Sequence, residues 1–135
     1  MRTKFAAKSS RASTASTLYL PIRAYWCVIL TRLQSSGLHW IVIHVDKNGR
    51  GEYFDSFGRA PNKHFESYMN KHCTIWTFNK KQLQSIISSF CGYYCCMFCM
   101  LSCRRVDMTK IINMFTTDTG FNDCIAHSFV CNKTY

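Results

Sequence analysis

The chain has 135 residues, of which 47% are apolar and 15% aromatic, and this is enough to bury the core of one domain. Charged residues make up only 18% of the chain, which excludes the composition of a highly charged disordered protein. The formal net charge of +10 favours polyanionic partners such as nucleic acid.

The N-terminal stretch is basic and of low complexity. No acidic residue precedes Asp46, whereas six of the 17 Lys and Arg residues lie before it. We expect residues 1–22 to form a basic, poorly ordered leader and residues 23–135 to form a single domain. Two alternatives stay open for the leader: contact with nucleic acid, and a mitochondrial transit peptide, a class rich in Arg and Ser.

The first part of the domain predicts a β-hairpin preceded by a strand. Residues 24–30 predict a short buried strand. Residues 38–46 (LHWIVIHVD) predict another, since they are rich in β-branched and aromatic side chains. The segment 47–51 contains Asn-Gly, the strongest short signal for a hairpin turn. Residues 52–58 (EYFDSFG) would then form the return strand.

The second part predicts helices around one further strand. Asn62 precedes a helical pattern with one apolar face, and residues 73–79 predict a strand. Residues 80–89 form a connector that fits no regular element. Three helices are expected. The first covers residues 90–103, with Ser88 or Ser89 as a cap at its start and Arg104 and Arg105 where cations suit its last turn. The other two cover residues 106–115 and 122–131, with Asp107 and Asn122 as their candidate caps.

Strands and helices are mixed here without a regular βαβ alternation. This pattern indicates an α+β fold, with a mostly antiparallel central sheet flanked by helices. The nine cysteines are an odd number and follow no secretory signal, so we expect free thiols in a reducing, intracellular compartment, either nucleus or cytoplasm. The longest apolar stretch, residues 90–103, is shorter than the ~20 residues that span a bilayer, so no membrane association is expected.

Most cysteines of the 90–103 helix have an ordinary structural explanation. Cys95, Cys99 and Cys103 are four residues apart, which places them along one helix face, and a free cysteine behaves as a small hydrophobe. We therefore expect them in the core. The competing interpretation is a zinc site formed by a C-x-x-C and a C-x-x-H motif, with Cys96, Cys99, Cys124 and His127 as ligands.

Cys91 differs from the other cysteines because it lies at the predicted start of a helix. A helix N-terminus stabilises a thiolate and so makes the sulfur a better nucleophile. Gly92, which follows, leaves room for another backbone or a substrate to approach. A helix-initial cysteine is more often structural, so a catalytic interpretation needs partner residues.

Three residues could supply the partners that a thiol nucleophile requires. A histidine must hold the thiolate as an ion pair, a carboxylate must orient that histidine, and donors must stabilise the oxyanion. His39 lies near the start of the first hairpin strand and Asp55 near the end of the second. Antiparallel pairing would place His39 opposite about residues 58–60, close to Asp55. Gln84 offers a neutral amide ahead of Cys91.

The order of these motifs resembles that of the adenovirus protease (adenain) family, and especially of the adenain-like cysteine proteases of Maverick/Polinton DNA transposons. The SUMO-type deconjugating proteases share the general order, but their glutamine stands six residues before the cysteine, whereas here it stands seven before. The resemblance rests on His39 with Trp40, on YFDSFG from Tyr53 to Gly58, on Gln84, and on Cys91 with Gly92.

The resemblance implies a cysteine endopeptidase fold with the nucleophile at a helix N-terminus. It implies Cys91 as nucleophile, His39 as general base and acid, Asp55 as the residue orienting His39, and Gln84 as an oxyanion donor. Trp40 would pack beside the histidine. The implied substrates are capsid-type precursor proteins cut at Gly-containing sites, with no required cofactor and DNA as a possible activator.

Three other interpretations stay open at this point. One is an inactive transposon-derived relic that acts as a basic nucleic-acid-binding module. Another is a protease that removes SUMO or ubiquitin-like modifiers. The last is a zinc-stabilised binding domain.

Overall fold

A sheet organises the computed structural model, which describes the backbone of residues 6–9, 25–33 and 37–133 and the side chains of residues 38–132. Within these residues the sheet has five strands, hydrogen-bonded in chain order. The strands are β1 (Ala6–Ser9), β2 (Tyr25–Leu33), β3 (Gly37–Val45), β4 (Arg50–Phe54) and β5 (Ile75–Phe78).

The central strand pairs are antiparallel and the outer pairs are parallel. β3 runs antiparallel to both β2 and β4, whereas β1 pairs with β2 and β5 with β4 in parallel. Together, the two antiparallel ladders contain more residue pairs than the two parallel ladders, so the predicted mostly antiparallel sheet is confirmed. Of the predicted leader, residues 6–9 form β1, and the rest of residues 1–22 lies outside the described residues.

The hairpin turn sets the register of β3 against β4. The Asp46 carboxylate accepts hydrogen bonds from the backbone N–H groups of Asn48 (2.8 Å) and Arg50 (2.9 Å), which shapes the turn. In the ladder that follows, Val42 is paired with Phe54. Continuing this register places residue 57 opposite His39, so the expected pairing with residues 58–60 was wrong. The cause is a tight turn centred on residue 48.

Four helices lie within the described residues: α1 (Lys63–His72), α2 (Cys91–Cys103), α3 (Met108–Asn113) and α4 (Thr119–Lys133). The expected cap Asp107 is present and accepts from the backbone N–H of Lys110 at 2.9 Å. Asn62, which precedes the predicted helical pattern, caps α1 by accepting from the backbone N–H of Phe65 at 3.0 Å. No described helix is both long enough and apolar enough to cross a membrane.

The expected caps of α2 were wrong. Its N-cap is Phe90, and no side chain bonds to the first turn. The Ser88 hydroxyl instead donates to the carbonyl of Ser85 at 3.2 Å. At the other end Arg104 is the C-cap and Arg105 lies beyond it with φ 63°, so neither arginine belongs to the last turn.

The expected cap of the last helix was also wrong. α4 begins at Thr119, and the Asp118 carboxylate accepts from the backbone N–H of Phe121 at 3.0 Å. Asn122 therefore lies inside the helix, where it is fully buried. Its amide is used in tertiary contacts, accepting from Thr116 and donating to the carbonyl of Leu83.

Two hydrophobic clusters cover the two faces of the sheet. Alternate side chains of β3 point to opposite faces, so Ile41 and Ile43 pack with α1, whereas Val42 packs with α2, α3 and α4. This explains why β3 is apolar almost throughout. Helices on both faces of a sheet confirm the predicted α+β class.

The cysteines of α2 separate into buried and exposed groups. Cys95 and Cys99 are 2% exposed and belong to the core, as expected, but Cys103 is exposed. Residues four apart drift by about 40° per step around a helix of 3.6 residues per turn. Cys103 therefore points well away from the direction of Cys95, and its placement in the core was wrong.

Candidate active site

His39 and Asp55 meet at the open end of the hairpin. Nε2 of His39 lies 2.7 Å from Oδ1 of Asp55, and both residues are buried. The same carboxylate oxygen accepts the backbone N–H of Phe57 at 2.8 Å, and the Phe57 ring stacks on the imidazole with centroids 4.6 Å apart. The hydrogen bond to Asp55 thereby fixes one edge of the imidazole, and the Phe57 ring fixes the plane of the imidazole by stacking on it.

Asn79, at the end of β5, holds the backbone of Asp55. Its Oδ1 accepts the Asp55 N–H at 2.9 Å, and its Nδ2 donates to the Asp55 carbonyl at 2.5 Å. This pair replaces the ladder bonds that β4 would make if it continued past Phe54. The Asp55 backbone is thereby held just past the end of β4, and its carboxylate bonds to His39.

Cys91 is the first residue of α2, and its sulfur lies in the same cleft as His39, close enough for the two side chains to interact. Because Nε2 of His39 bonds to Asp55, Nδ1 is the ring nitrogen left for the sulfur. The backbone N–H groups of Trp40 and Gly92 also lie near the sulfur and favour its thiolate form. Predictions from the sequence named all five of these residues, and the structure brings them together.

The electrostatics favour a thiolate–imidazolium pair. Burial alone would lower the pKa of His39, but the hydrogen bonds to Asp55 and Cys91 and their negative charges outweigh it and raise that pKa to about 9. Burial alone would raise the pKa of the Cys91 thiol. The hydrogen bonds from His39 and the two backbone N–H groups, with the imidazolium charge, outweigh it and lower that pKa.

Gln84 lies in the same cleft, fully buried, with both ends of its amide bonded. Its Oε1 accepts the Ser56 hydroxyl at 2.6 Å. Its Nε2 donates to the carbonyl of Ser88 at 2.9 Å and contacts the Ser88 hydroxyl at 3.2 Å. Gln84 thus lines the same cleft as Cys91, and its amide N–H groups are held by Ser88 of the connector that precedes α2.

An open cleft of about 430 Å³ passes over the sulfur. Its walls are mostly apolar around the polar catalytic candidates, and its rim includes the exposed side chains of Leu38, Ile86 and Ile87. The lining residues are Leu38, His39, Trp40, Phe57, Gln84, Ile86, Ile87, Ser88, Ser89 and Cys91.

The sequence did not point to three residues that this site uses: Ser56, Phe57 and Asn79. Each acts on Asp55, His39 or Gln84 through a contact between segments distant along the chain. Their positions within EYFDSFG and at the end of a predicted strand gave no chemical signal of such contacts. Only the motif YFDSFG, taken as a block, marked the neighbourhood of Ser56 and Phe57.

The alternative zinc site has no counterpart in the described part of the chain. There, no three His, Cys, Asp or Glu side chains come together in a way that could hold a metal ion. Cys99 lies in the core, whereas Cys96 and Cys124 are exposed.

Comparisons with known proteins place the chain among relatives of proteases. No protein-family model matches it. A protein of Acanthamoeba polyphaga mimivirus, named as a candidate thiol protease, is 28% identical over 104 residues. The match covers 69% of this chain and 34% of the mimivirus protein, so the chain spans about a third of that relative's length.

Solved structures agree with the sequence match. Two crystal structures of the African swine fever virus protease, one of them with selenomethionine, match with TM-scores of 0.60 and 0.58. Both are 25% identical to this chain and cover 78% of it, and the chain spans 43% and 42% of theirs. The chain is thus related to cysteine proteases. These relatives do not single out the adenain branch.

Proposed function

We propose that this chain carries the active site of a cysteine endopeptidase. The observation that supports this most directly is a single imidazole that bonds to Asp55 on one side and interacts with the Cys91 thiol in the same cleft. The relationship to cysteine proteases agrees with it. Asp55 orients His39, His39 holds the proton, and Cys91 is the nucleophile at the start of α2.

The reaction follows from these positions. The Cys91 thiolate attacks the carbonyl carbon of the scissile amide, and the carbonyl oxygen takes up the negative charge. His39 gives its proton to the leaving amine as the C–N bond breaks, which produces the first product and a thioester. His39 then takes a proton from water as the water oxygen attacks the thioester, and cleavage of the C–S bond releases the carboxylic acid and the Cys91 thiolate. Protonated His39 and the Cys91 thiolate again form the ion pair.

The oxyanion would be stabilised by the Gln84 amide and the Cys91 backbone N–H. Removing one such donor costs about 10²–10³ in kcat in a characterised protease. The Gln84 amide carries two hydrogens, and in this structure both acceptors are on Ser88. The contact with the Ser88 hydroxyl, at 3.2 Å, is the longer one, and the oxyanion would replace this hydroxyl as the acceptor of that N–H.

The cleft favours particular substrates. Trp40 and Phe57 line the same cleft as the sulfur, and their large side chains favour a substrate residue without a side chain at the scissile bond. Ile86 and Ile87 on the rim are 73% and 92% exposed, and this favours apolar side chains nearby in the substrate. Within the adenain-like interpretation, the substrates would be capsid-type precursors cut at Gly-containing sites, and DNA could stimulate cleavage through the basic surface.

The test is cleavage of a peptide that contains Gly-Gly flanked by apolar residues, followed by mass spectrometry with and without duplex DNA. Cys91→Ala should abolish cleavage without unfolding the chain, since Ala fits the same space. Cys96→Ala is the matched control, because it removes an exposed thiol from the same helix. Retained cleavage in Cys91→Ala, or equal losses in both variants, would remove Cys91 as the nucleophile.

A further inference from the structure

Ser56 lies between the two halves of the active site and is fully buried. It follows Asp55, which binds His39. Its own hydroxyl donates to Oε1 of Gln84 at 2.6 Å, which is the shortest of the three hydrogen bonds that the Gln84 amide makes. Its carbonyl accepts the backbone N–H groups of Leu83 and Gln84 at 2.9 and 3.0 Å. Both the backbone and the side chain of Gln84 are thus attached to Ser56.

These bonds determine which way the amide of Gln84 points. A serine hydroxyl can donate or accept, but here the Ser88 carbonyl lies at the other end of the amide and can only accept. Nε2 must therefore face Ser88, and Oε1 must face Ser56. Without the Ser56 hydroxyl, Oε1 would be buried with no donor, and a buried unsatisfied acceptor is unfavourable. The amide would then be held only through Nε2, by Ser88, and its orientation would be less well fixed.

We propose that Ser56 is a positioning residue, whose hydroxyl fixes the Gln84 amide with Nε2 facing Ser88, on the wall of the cleft that holds Cys91, from where it can donate to the oxyanion. The inference rests on the proposed function, and it adds a residue to which neither the motif order nor the chemistry of the nucleophile had given a role. Asp55 and Ser56, adjacent in the chain, would align the acid–base residue and the oxyanion donor respectively.

Ser56→Ala isolates the hydroxyl, because the backbone bonds of Ser56 do not need the side chain. Ser102→Ala is the matched control: Ser102 is also buried, and its hydroxyl has no hydrogen-bond partner within the described residues. We expect Ser56→Ala to lower kcat by about tenfold with KM within about twofold, as for an interaction made mainly in the transition state. Ser102→Ala should leave both constants unchanged.

Two further readouts separate positioning from a general loss of structure. Alkylation of Cys91 by iodoacetamide develops no oxyanion, so its rate should be the same in wild type and Ser56→Ala. In a Gln84→Ala background, Ser56→Ala should cause no further loss of kcat, because its target is already absent. Ser56→Thr keeps the hydroxyl and should retain more activity than Ser56→Ala, whereas a purely steric role would make the larger Thr the worse variant.

Each outcome decides between these explanations. An unchanged kcat in Ser56→Ala, additive losses with Gln84→Ala, or a parallel fall in Cys91 alkylation would overturn the positioning role while leaving the protease proposal intact. Should Ser56→Ala fail to fold by circular dichroism, the comparison of Ser56→Thr with wild type decides instead, with a retained kcat expected and a loss as large as in Gln84→Ala contradicting the role. A wild type that cleaves no peptide would overturn both proposals.

Discussion

Asp55→Asn tests whether the carboxylate holds the proton on His39. The substitution keeps the shape of the side chain and leaves an oxygen that can still accept from Nε2, but it removes the negative charge. The position of His39 is therefore preserved, and the variant isolates the electrostatic contribution. We expect the imidazolium form of His39 to become less stable, and the Cys91 thiolate to become less stable as a consequence, because the two charges stabilise each other.

The size of the effect follows from the geometry. A rise in the pKa of His39 from 6.5 to about 9 corresponds to roughly 3 kcal/mol in favour of the charged ring. A hydrogen bond to a charged group contributes about 1.5–3 kcal/mol and a neutral one about 0.5–1.5 kcal/mol. The 2.7 Å bond to Asp55 should thus lose about 1–2 kcal/mol as an amide, which is a factor of about 5–30.

Iodoacetamide alkylation measured across pH gives this quantity directly. Site-resolved mass spectrometry should show the midpoint for Cys91 moving upward by about 1 pH unit in Asp55→Asn, with slower alkylation at pH 7. Exposed Cys96 is the internal reference. Asp46→Asn, at the other end of the hairpin, is the matched control and should leave the midpoint unchanged. An identical midpoint in wild type and Asp55→Asn would refute the view that Asp55 holds the proton.

Three further predictions concern pH, stability and substrate access. Peptide cleavage should show a bell-shaped pH profile, with an alkaline limb near pH 9 as His39 loses its proton and an acid limb where Cys91 is protonated. Charged His39 stabilises the folded state fully below about pH 6.5, and this stabilisation is lost toward pH 9. In urea denaturation, the difference in free energy of unfolding between wild type and His39→Ala should therefore become smaller as the pH rises over that range. Asn122→Ala should lower the free energy of unfolding by about 2–3 kcal/mol, because it leaves the backbone N–H and carbonyl of Thr116 unbonded and removes one of the two hydrogen bonds to the Leu83 carbonyl. A deficit under about 0.5 kcal/mol would contradict this. Gly92→Ala should fold normally, since an added Cβ meets only Trp40, 3.9 Å away, and should raise KM for the peptide; an unchanged KM would show that the substrate does not approach there.

The sequence predicted the parts of this fold that local patterns control. β3 and β4 follow from β-branched residues on either side of Asn-Gly, and α2 from an apolar run of helical length. The same patterns brought His39 and Asp55 to one end of a hairpin and put Cys91 at a helix start. Local patterns thus identified His39, Asp55 and Cys91 as candidates, but they gave no role to Ser56, Phe57 or Asn79.

Two of the errors in the helix caps arose where a polar side chain had two possible uses. Asn122 has the residue type of a helix cap, but its amide is satisfied by Thr116 and Leu83, and the helix begins earlier. Ser88 could have capped α2, yet its hydroxyl donates to the Ser85 carbonyl and accepts from the Gln84 amide. In both cases another hydrogen bond replaces the cap, and sequence spacing does not show which is formed.

The precision of the site comes from the turn that follows β4. Gly58 has φ 69°, and its N–H donates to the carbonyl of Asp55 at 2.8 Å. A Cβ at Gly58 would lie 2.6 Å from the backbone carbonyl of Lys81, so only glycine lets the connector before α2 run this close. That close approach is what brings the Gln84 backbone to the Ser56 carbonyl.

Two consecutive residues of this turn therefore fix two separate catalytic elements. Asp55 is bonded to His39 and Ser56 to Gln84. The distance between His39, the proton donor, and Gln84, the oxyanion donor, therefore depends on the single peptide bond that joins Asp55 to Ser56. A misplacement of about 1 Å can cost on the order of 10²-fold in rate, and a covalent link limits such errors better than independent loops do. The exposed Ile86 and Ile87 can accordingly adapt to a substrate while the buried turn keeps the catalytic groups aligned.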